Sequence, residues 1–182
     1  MNSQCMFEQL VIRHAQHNDA DAIAHLAKRT FHDTFAADNA SSDMEIYLRD
    51  TFSLERTQAE LVDSNNTFLL AFAHDAAEPI GYAKLKIEKE DMSVQGTRTT
   101  EIERLYVDAI AIGQGVGASL MQACLNEATA LDYQAVKLGV WERNERAIAF
   151  YKRWGFETVG TRVFMLGSDR QNDFILQRAV SI

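Results

Sequence analysis

Proline, cysteine and positive charge are all scarce in this chain of 182 residues. It contains one proline and two cysteines, and no tract rich in proline, glycine or serine interrupts it. These shortages argue against a disulfide scaffold and against a linker between domains. Cys124 falls on a predicted core helix and Cys5 in a predicted tail, so no structural disulfide is expected. We predict a flexible tail over 1–8 and a single domain over 9–182.

Basic residues are not in excess, and long apolar runs are missing. Lys and Arg total 18 against 26 Asp and Glu, which gives a net charge of −8 and no basic stripe for a nucleic-acid backbone. No apolar stretch reaches the roughly 20 residues that a membrane span requires. The first residues do not resemble a secretory signal, so we expect a cytoplasmic protein. An acidic surface is compatible with a cationic ligand.

Hydrophobic periodicity predicts an α+β fold. The predicted strands are Leu10–Arg13, Thr67–Ala73, Ile80–Glu88, Thr100–Val107, Ala135–Val140, Phe156–Val159, Thr161–Leu166 and Asp173–Ala179. The predicted helices follow caps at Asn18, Ser42 and Ser53, and then begin at Gly115 and Asn144. In Ile80–Glu88, Tyr82 and Lys84 alternate onto a face that we expect to be solvated, and 90–98 reads as a polar loop. The strand–helix–strand run predicts one parallel crossover in a mostly antiparallel sheet.

The most informative segment joins the strand end Leu105–Val107 to three glycines and a helix. Its sequence runs Ile112, Gly113, Gln114, Gly115, Val116, Gly117, Ala118. Glycine has no Cβ, and the first helical turn adds unpaired N–H groups and partial positive charge, so we expect a phosphate-binding site. A P-loop does not fit because no lysine followed by Ser or Thr closes the segment. A dinucleotide motif does not fit because the spacing is G-x-G-x-G.

Two motifs together resemble the GNAT acetyltransferase superfamily. The first is the glycine segment after Leu105-x-Val107, and the second runs Asn144-x-x-Ala147-x-x-Phe150-Tyr151-x-x-x-Gly155-Phe156. The order of predicted elements agrees with the family from about residue 10 to the C-terminus. The resemblance implies a GNAT-like acyl-CoA N-acyltransferase fold and transfer of acetyl from acetyl-CoA to a primary amine. The stretch 101–107, together with Trp141 and Asp173, looks closest to the bacterial polyamine acetyltransferase branch.

The resemblance also implies catalytic roles. Tyr151 matches the general acid that protonates the departing thiolate, although its position on the inner helix face equally fits a core residue. Glu103 matches a carboxylate that deprotonates the amine through water. Glu101 shares its strand face and would bind substrate charge or relay the proton. For either glutamate, an exposed strand carboxylate is the alternative.

Further residues, and Tyr151 as well, are implied to hold acetyl-CoA. Backbone groups of Leu105, Tyr106 and Val107 would hold the acetyl and pantetheine groups by strand-like hydrogen bonds. The backbone amides of 112–118 would bind the pyrophosphate. Asn144 matches a pantetheine contact and equally fits an N-cap. Ile112 departs from the family, which usually has Arg or Gln there, so we expect weakened binding at most.

The acceptor is the least defined part of the prediction. His32 and Phe35 are candidates for its pocket because the first helices shape that pocket in the family, although packed or solvated helix residues are the alternative. The histidines lack metal-ligand spacing, so we expect no metal. We predict a small-molecule amine, such as a polyamine or an amino-acid derivative, no nucleic-acid or membrane partner, and a homodimer as the family often forms. A protein amine, or a non-catalytic acyl-CoA-binding module suggested by Ile112, are the alternatives.

Overall fold

The computed structural model describes residues 10–87 and 98–180. Its strands are β1 (Leu10–His14), β2 (Asn66–Ala73), β3 (Gly81–Ile87), β4 (Thr99–Val107), β5 (Ala135–Trp141), β6 (Glu157–Leu166) and β7 (Asp169–Ala179). Its helices are α1 (Ala20–Phe35), α2 (Ser41–Thr51), α3 (Leu54–Val62), α4 (Val116–Ala130) and α5 (Glu145–Arg153). The predicted tail, with Cys5, and 90–97 of the predicted loop lie outside the described residues. Within these ranges no helix is long and apolar enough to cross a membrane.

The strands form one sheet in the order β1-β2-β3-β4-β5-β7-β6. Neighbouring strands are antiparallel except for β4 and β5, which are parallel. A parallel pair needs a long connection, and α4 provides it. The predicted α+β fold with one parallel crossover is therefore confirmed.

The parallel pair β4/β5 separates part of the way along its length. Pairing runs from Thr99 opposite Ala135 to Ile102 opposite Leu138 and then stops. Beyond that point β4 continues to Val107 against β3, whereas β5 continues against β7. The two strands therefore enclose a split whose inner edges carry backbone groups that are not used in a β4–β5 ladder.

Helices cover both faces of the sheet. The core on one face includes Leu120 and Cys124 of α4 and Tyr151 of α5. The core on the other face includes Ile23 and Phe31, both from α1. Cys124 is fully buried on α4, which confirms its predicted place on a core helix.

The prediction that one face of β3 is solvated is wrong at Tyr82 and Lys84, although Lys86 on the same face is exposed. Tyr82 is 0% exposed and Lys84 is 2% exposed, because Tyr82 joins the core beneath the first helices and Lys84 meets Glu60 of α3. Alternation along a strand identifies its two faces, but distant helices decide which face is covered.

Local signals located some element ends and misplaced others. Ser53 accepts a hydrogen bond from the Arg56 N–H and Gly155 has φ +79°, so the predicted start of α3 and end of α5 are confirmed. The predicted caps of the first two helices are displaced, since α1 follows Asp19 and α2 follows Ala40. The two strands predicted within 156–166 are one strand with a bulge between 158 and 160, and β7 begins at Asp169.

Candidate active site

The glycine segment forms an open turn at the end of β4. Gly113 and Gly115 have φ +81° and +83°, and no atom lies within 4 Å of where a Cβ would stand on either. α4 begins directly afterwards at buried Val116, so the N–H groups of its first turn have no partners inside the helix. These N–H groups, together with the helix dipole, suit an anion such as a phosphate.

Asp108 anchors the start of this turn. Its carboxylate accepts a hydrogen bond from the Ile110 N–H at 3.2 Å. The same carboxylate binds Arg29 of α1, with Nη2 at 2.5 Å and Nε at 3.1 Å from Oδ2. The turn is thereby tied to the first helix as well as to the sheet.

A cleft of about 340 Å³ lies beside the turn, where β4 and β5 separate. Its lining is Thr30, Asp33, Thr34, Phe35, Val107, Ala109, Ile112, Trp141, Asn144 and Arg146. Four predicted residues therefore meet in one cleft: Phe35, Val107, Ile112 and Asn144. Three other predicted residues are not among the lining residues. Leu105 packs against the α4 core, and Tyr106 stacks on Tyr82 with ring centroids 5.9 Å apart. His32 is exposed, with its Nδ1 3.6 Å from Oδ1 of Asp33.

Asn144 holds the first turn of α5 at the cleft. Its side chain accepts a hydrogen bond from the Ala147 N–H at 3.1 Å. The N-cap reading is therefore confirmed, and the residue also lines the cleft. Arg146, two residues further along, lines the same wall of the cleft with its guanidinium. The sequence did not indicate this residue.

Tyr151 lies at the inner side of α5. It is buried between the rings of Phe150 and Phe156, with centroid distances of 5.4 and 6.0 Å. Burial raises the pKa of Tyr151, and nearby Cys124 adds to the effect. The phenol therefore stays protonated at neutral pH, as a proton donor must.

Glu103 occupies a β-bulge in β4. Lys84 pairs with Arg104 and Leu85 pairs with Ile102, so Glu103 is the extra residue between them. Its Oε2 lies 2.5 Å from Lys84 Nζ and 3.8 Å from Arg104 Nη2. A second carboxylate, Glu60 of α3, lies 2.8 Å from Arg104 Nη1 and 3.1 Å from Lys84 Nζ. We call Glu60, Lys84, Glu103 and Arg104 the inner charge cluster.

Pairing in the inner charge cluster controls how its carboxylates ionise. Burial by itself would raise the pKa of Glu103, but the hydrogen bond and charge of Lys84, helped by Arg104, hold it below its ordinary value. In the same way Arg104 outweighs burial at Glu60 and lowers its pKa. Both side chains are therefore carboxylates at neutral pH.

Glu101 belongs to a different cluster. Its Oε1 lies 2.6 Å from Nη1 of Arg162, which reaches over from β6. Nε of Arg162 lies 3.8 Å from Oδ2 of Asp173 on β7. Burial raises the pKa of Asp173, and Arg162 opposes that shift. We call Glu101, Arg162 and Asp173 the outer charge cluster; the two predicted glutamates thus bind separate cations.

Arg162 illustrates what sequence reasoning missed at the site. It meets Glu101 across 61 positions of sequence, and no local pattern connects the two. Trp141 was noted for family likeness alone, yet it lines the cleft with its ring 6.0 Å from that of Phe35. Among residues 10–87 and 98–180, no group of three His, Cys, Asp or Glu could hold a metal ion.

A mixed sheet that splits beside a glycine turn at the start of a helix is the arrangement of the N-acetyltransferase class of α+β folds. The chain belongs to the GNAT acetyltransferase family, whose model matches residues 14–156. It is 32% identical to an uncharacterised N-acetyltransferase of Lactobacillus delbrueckii over 85% of this chain and 88% of the relative. It is 35% identical to another from Mycobacterium tuberculosis, over 88% and 97% of the respective chains.

Solved structures share the fold. The crystal structure of PaiA N-acetyltransferase from Thermoplasma acidophilum in complex with coenzyme A superposes with a TM-score of 0.77. It covers 94% of this chain and 99% of that chain at 22% identity. The predicted GNAT acyl-CoA N-acyltransferase fold is confirmed, and the protein is an N-acetyltransferase. These names specify no acceptor, so the likeness to the polyamine branch stays a prediction.

Proposed function

We propose that the protein transfers acetyl from acetyl-CoA to a primary amine of a small molecule, by direct attack of the amine on the thioester. The observation that carries this proposal is the juxtaposition of the split sheet with the open glycine turn. The turn suits the phosphates of the donor, and the freed edge of β4 suits its amide-bearing arm. A polyamine or an amino-acid derivative is the acceptor type that we propose.

The residues present fit acetyl-CoA as the donor. In this proposal the N–H groups of 112–118 bind the pyrophosphate, and the backbone of Leu105, Tyr106 and Val107 binds pantetheine and the acetyl carbonyl. Asn144 adds a polar contact from the cleft wall. Ile112 offers no charge to the phosphates, so we assign that contribution to Arg146, which lines the same cleft.

Proton transfer completes the proposed reaction. Tyr151 gives its proton to the departing thiolate, because burial keeps the phenol protonated. Glu103 accepts the amine's proton through water. Lys84 and Arg104 keep Glu103 ionised but make it a weak base. We therefore expect the pH dependence of kcat/KM to follow the acceptor ammonium, whose ordinary pKa is near 10.

Replacement of the phenol tests this function. We expect Tyr151→Phe to lower kcat by about a hundredfold, the size of effect for a lost general acid, while the Kd for CoA stays unchanged. The measurements are thiol release from acetyl-CoA with a panel of amines, and calorimetry for CoA. Tyr133→Phe is the matched control, since Tyr133 is buried in the same core.

Two outcomes would contradict the proposal. Tight CoA binding without turnover on any polyamine, amino acid or peptide amine would instead favour a non-catalytic acyl-CoA-binding module. Turnover of Tyr151→Phe within about twofold of the unmodified protein would remove Tyr151 from the acid role.

A further inference from the structure

The carboxylate of Asp108 divides its two oxygens between the glycine turn and the first helix. Its Oδ1 accepts a hydrogen bond from the Ile110 N–H at 3.2 Å. Its Oδ2 accepts two hydrogen bonds from Arg29, at 2.5 Å from Nη2 and 3.1 Å from Nε. Asp108 is 8% exposed, whereas the side chain of Arg29 is 52% exposed. The carboxylate is therefore buried at the turn, and a half-exposed cation of α1 supplies its countercharge.

The glycine turn has few other anchors. Between Asp108 and Val116 only Ala111 is buried, and the side chains of Ile110 and Ile112 are exposed. Asp108 caps the short helical turn over 109–111 that leads into the glycines, and its carbonyl accepts a hydrogen bond from the Ala111 N–H at 2.9 Å. Because packing holds so little of this segment, its shape depends on the capping carboxylate.

Asp108 is also held near the first turn of α4. Its N–H donates to the carbonyl of Ile80 at 2.8 Å. The next residue, Gly81, packs against the start of α4, since a Cβ on Gly81 would lie 3.1 Å from Cγ1 of Val116. One short stretch of chain thus holds both the carboxylate and the helix start. A carboxylate in this place repels an anion bound by the turn unless a cation neutralises it.

We propose that Arg29 is a positioning residue for the donor: it neutralises Asp108, so that a carboxylate can hold the glycine turn without repelling the phosphates. The inference rests on the proposed binding of acetyl-CoA at this turn. Arg29 does not line the cleft, so it acts through Asp108 rather than by contact with the donor. Loss of either charge should therefore change donor affinity, and the two losses should act in opposite directions.

Single and double variants test the proposal through the Kd for CoA, measured by calorimetry. Arg29→Met leaves the carboxylate without its cation, and we expect CoA to bind about tenfold more weakly. Asp108→Asn keeps an oxygen for the Ile110 N–H and frees the charge of Arg29, so CoA should bind at least as tightly as to the unmodified protein. The double variant carries neither charge, and its Kd should return to within about twofold of the unmodified value.

Arg13→Met is the matched control. Arg13 binds Asp19 through two nitrogens, at 2.7 and 2.9 Å, and its side chain is 40% exposed, so the pair resembles that of Arg29 with Asp108. It lies on β1, three strands away from β4 in the sheet, and its loss should leave the Kd for CoA unchanged.

Two further measurements separate charge from shape. The ratio of the Kd values of Arg29→Met and the unmodified protein should shrink as the salt concentration rises to about 1 M, because salt screens the exposed charges. With acetylpantetheine as the donor, which lacks the phosphates, kcat/KM should be the same for both proteins.

Other results would overturn the inference. If Asp108→Asn weakened CoA binding as much as Arg29→Met does, the pair would serve only to hold the fold together. A loss in Arg29→Met that salt does not reduce would lead to the same conclusion. CoA binding that Arg29→Met leaves unchanged would refute this inference alone, whereas failure of the unmodified protein to bind CoA would refute the proposed function.

Discussion

The inner and outer charge clusters lie on one side of the same strand but are built differently. The inner cluster balances two carboxylates, Glu60 and Glu103, with Lys84 and Arg104, and its members approach within 2.5 to 3.1 Å. The outer cluster sets two carboxylates against one arginine that is 41% exposed. The inner cluster is therefore balanced in charge, whereas the outer cluster has one more carboxylate than it has cations.

The β-bulge explains why glutamates two positions apart take such different roles. Because Glu103 is the extra residue, Glu103 reaches Lys84 and its neighbour Arg104 reaches Glu60 of α3. Glu101 precedes the bulge and lies across from Lys137 in the parallel pair, within reach of Arg162. Regular alternation along the strand would have placed Glu103 and Arg104 on opposite faces.

Removal of the inner cluster's most buried cation should have the largest effect on stability. Lys84→Met leaves Glu103 without its nearest partner, and we expect the free energy of unfolding to fall by about 3 kcal/mol. Lys86→Met is the control, because Lys86 lies 3.5 Å from the same carboxylate but is half exposed. Its cost should stay below about 1 kcal/mol. Chemical denaturation measures the free energy of unfolding of both variants. Equal losses in Lys84→Met and Lys86→Met would show that the buried ion pair contributes no more to stability than an exposed one.

The second largest effect should be the loss of the inner cluster's stabilisation when the pH is lowered. Since the folded pKa of Glu103 lies below its unfolded value, its stabilisation is present above the unfolded pKa and is lost as pH falls through the folded pKa. We expect Glu103→Gln to be less stable than the unmodified protein near neutral pH, with the gap closing as pH falls below about 4. Denaturant midpoints across pH measure the gap, and Glu157→Gln, an exposed carboxylate on β6, is the control. A gap that does not change with pH would contradict the assigned pairing.

The two clusters also show how far sequence reasoning extends. Asn144 as a cap and Gly155 as a helix end were predictable because each depends on neighbours within a few residues. The burial of Lys84 was not, since it depends on α3, which joins it only after folding. The contact of Arg162 with Gly139 and Glu101 joins three strands that have no shared local pattern. The glycine turn is local, so the sequence could indicate the glycines that take positive φ there, whereas it left the acceptor side open.

The smallest expected effect is the pH dependence of stability at Asp173, which should have the opposite sign to that at Glu103. Burial raises the folded pKa of Asp173, so the folded protein takes up a proton there before the unfolded chain does as pH falls. This contribution is fully present below the unfolded pKa and is lost as pH rises through the folded pKa. The stability of the unmodified protein relative to Asp173→Asn should therefore increase as pH falls from neutral, opposite to the trend at Glu103. Arg162 opposes the shift, so the change should be smaller than that of Lys84→Met. If stability relative to Asp173→Asn instead decreased on acidification, Asp173 would be as fully paired as the inner carboxylates.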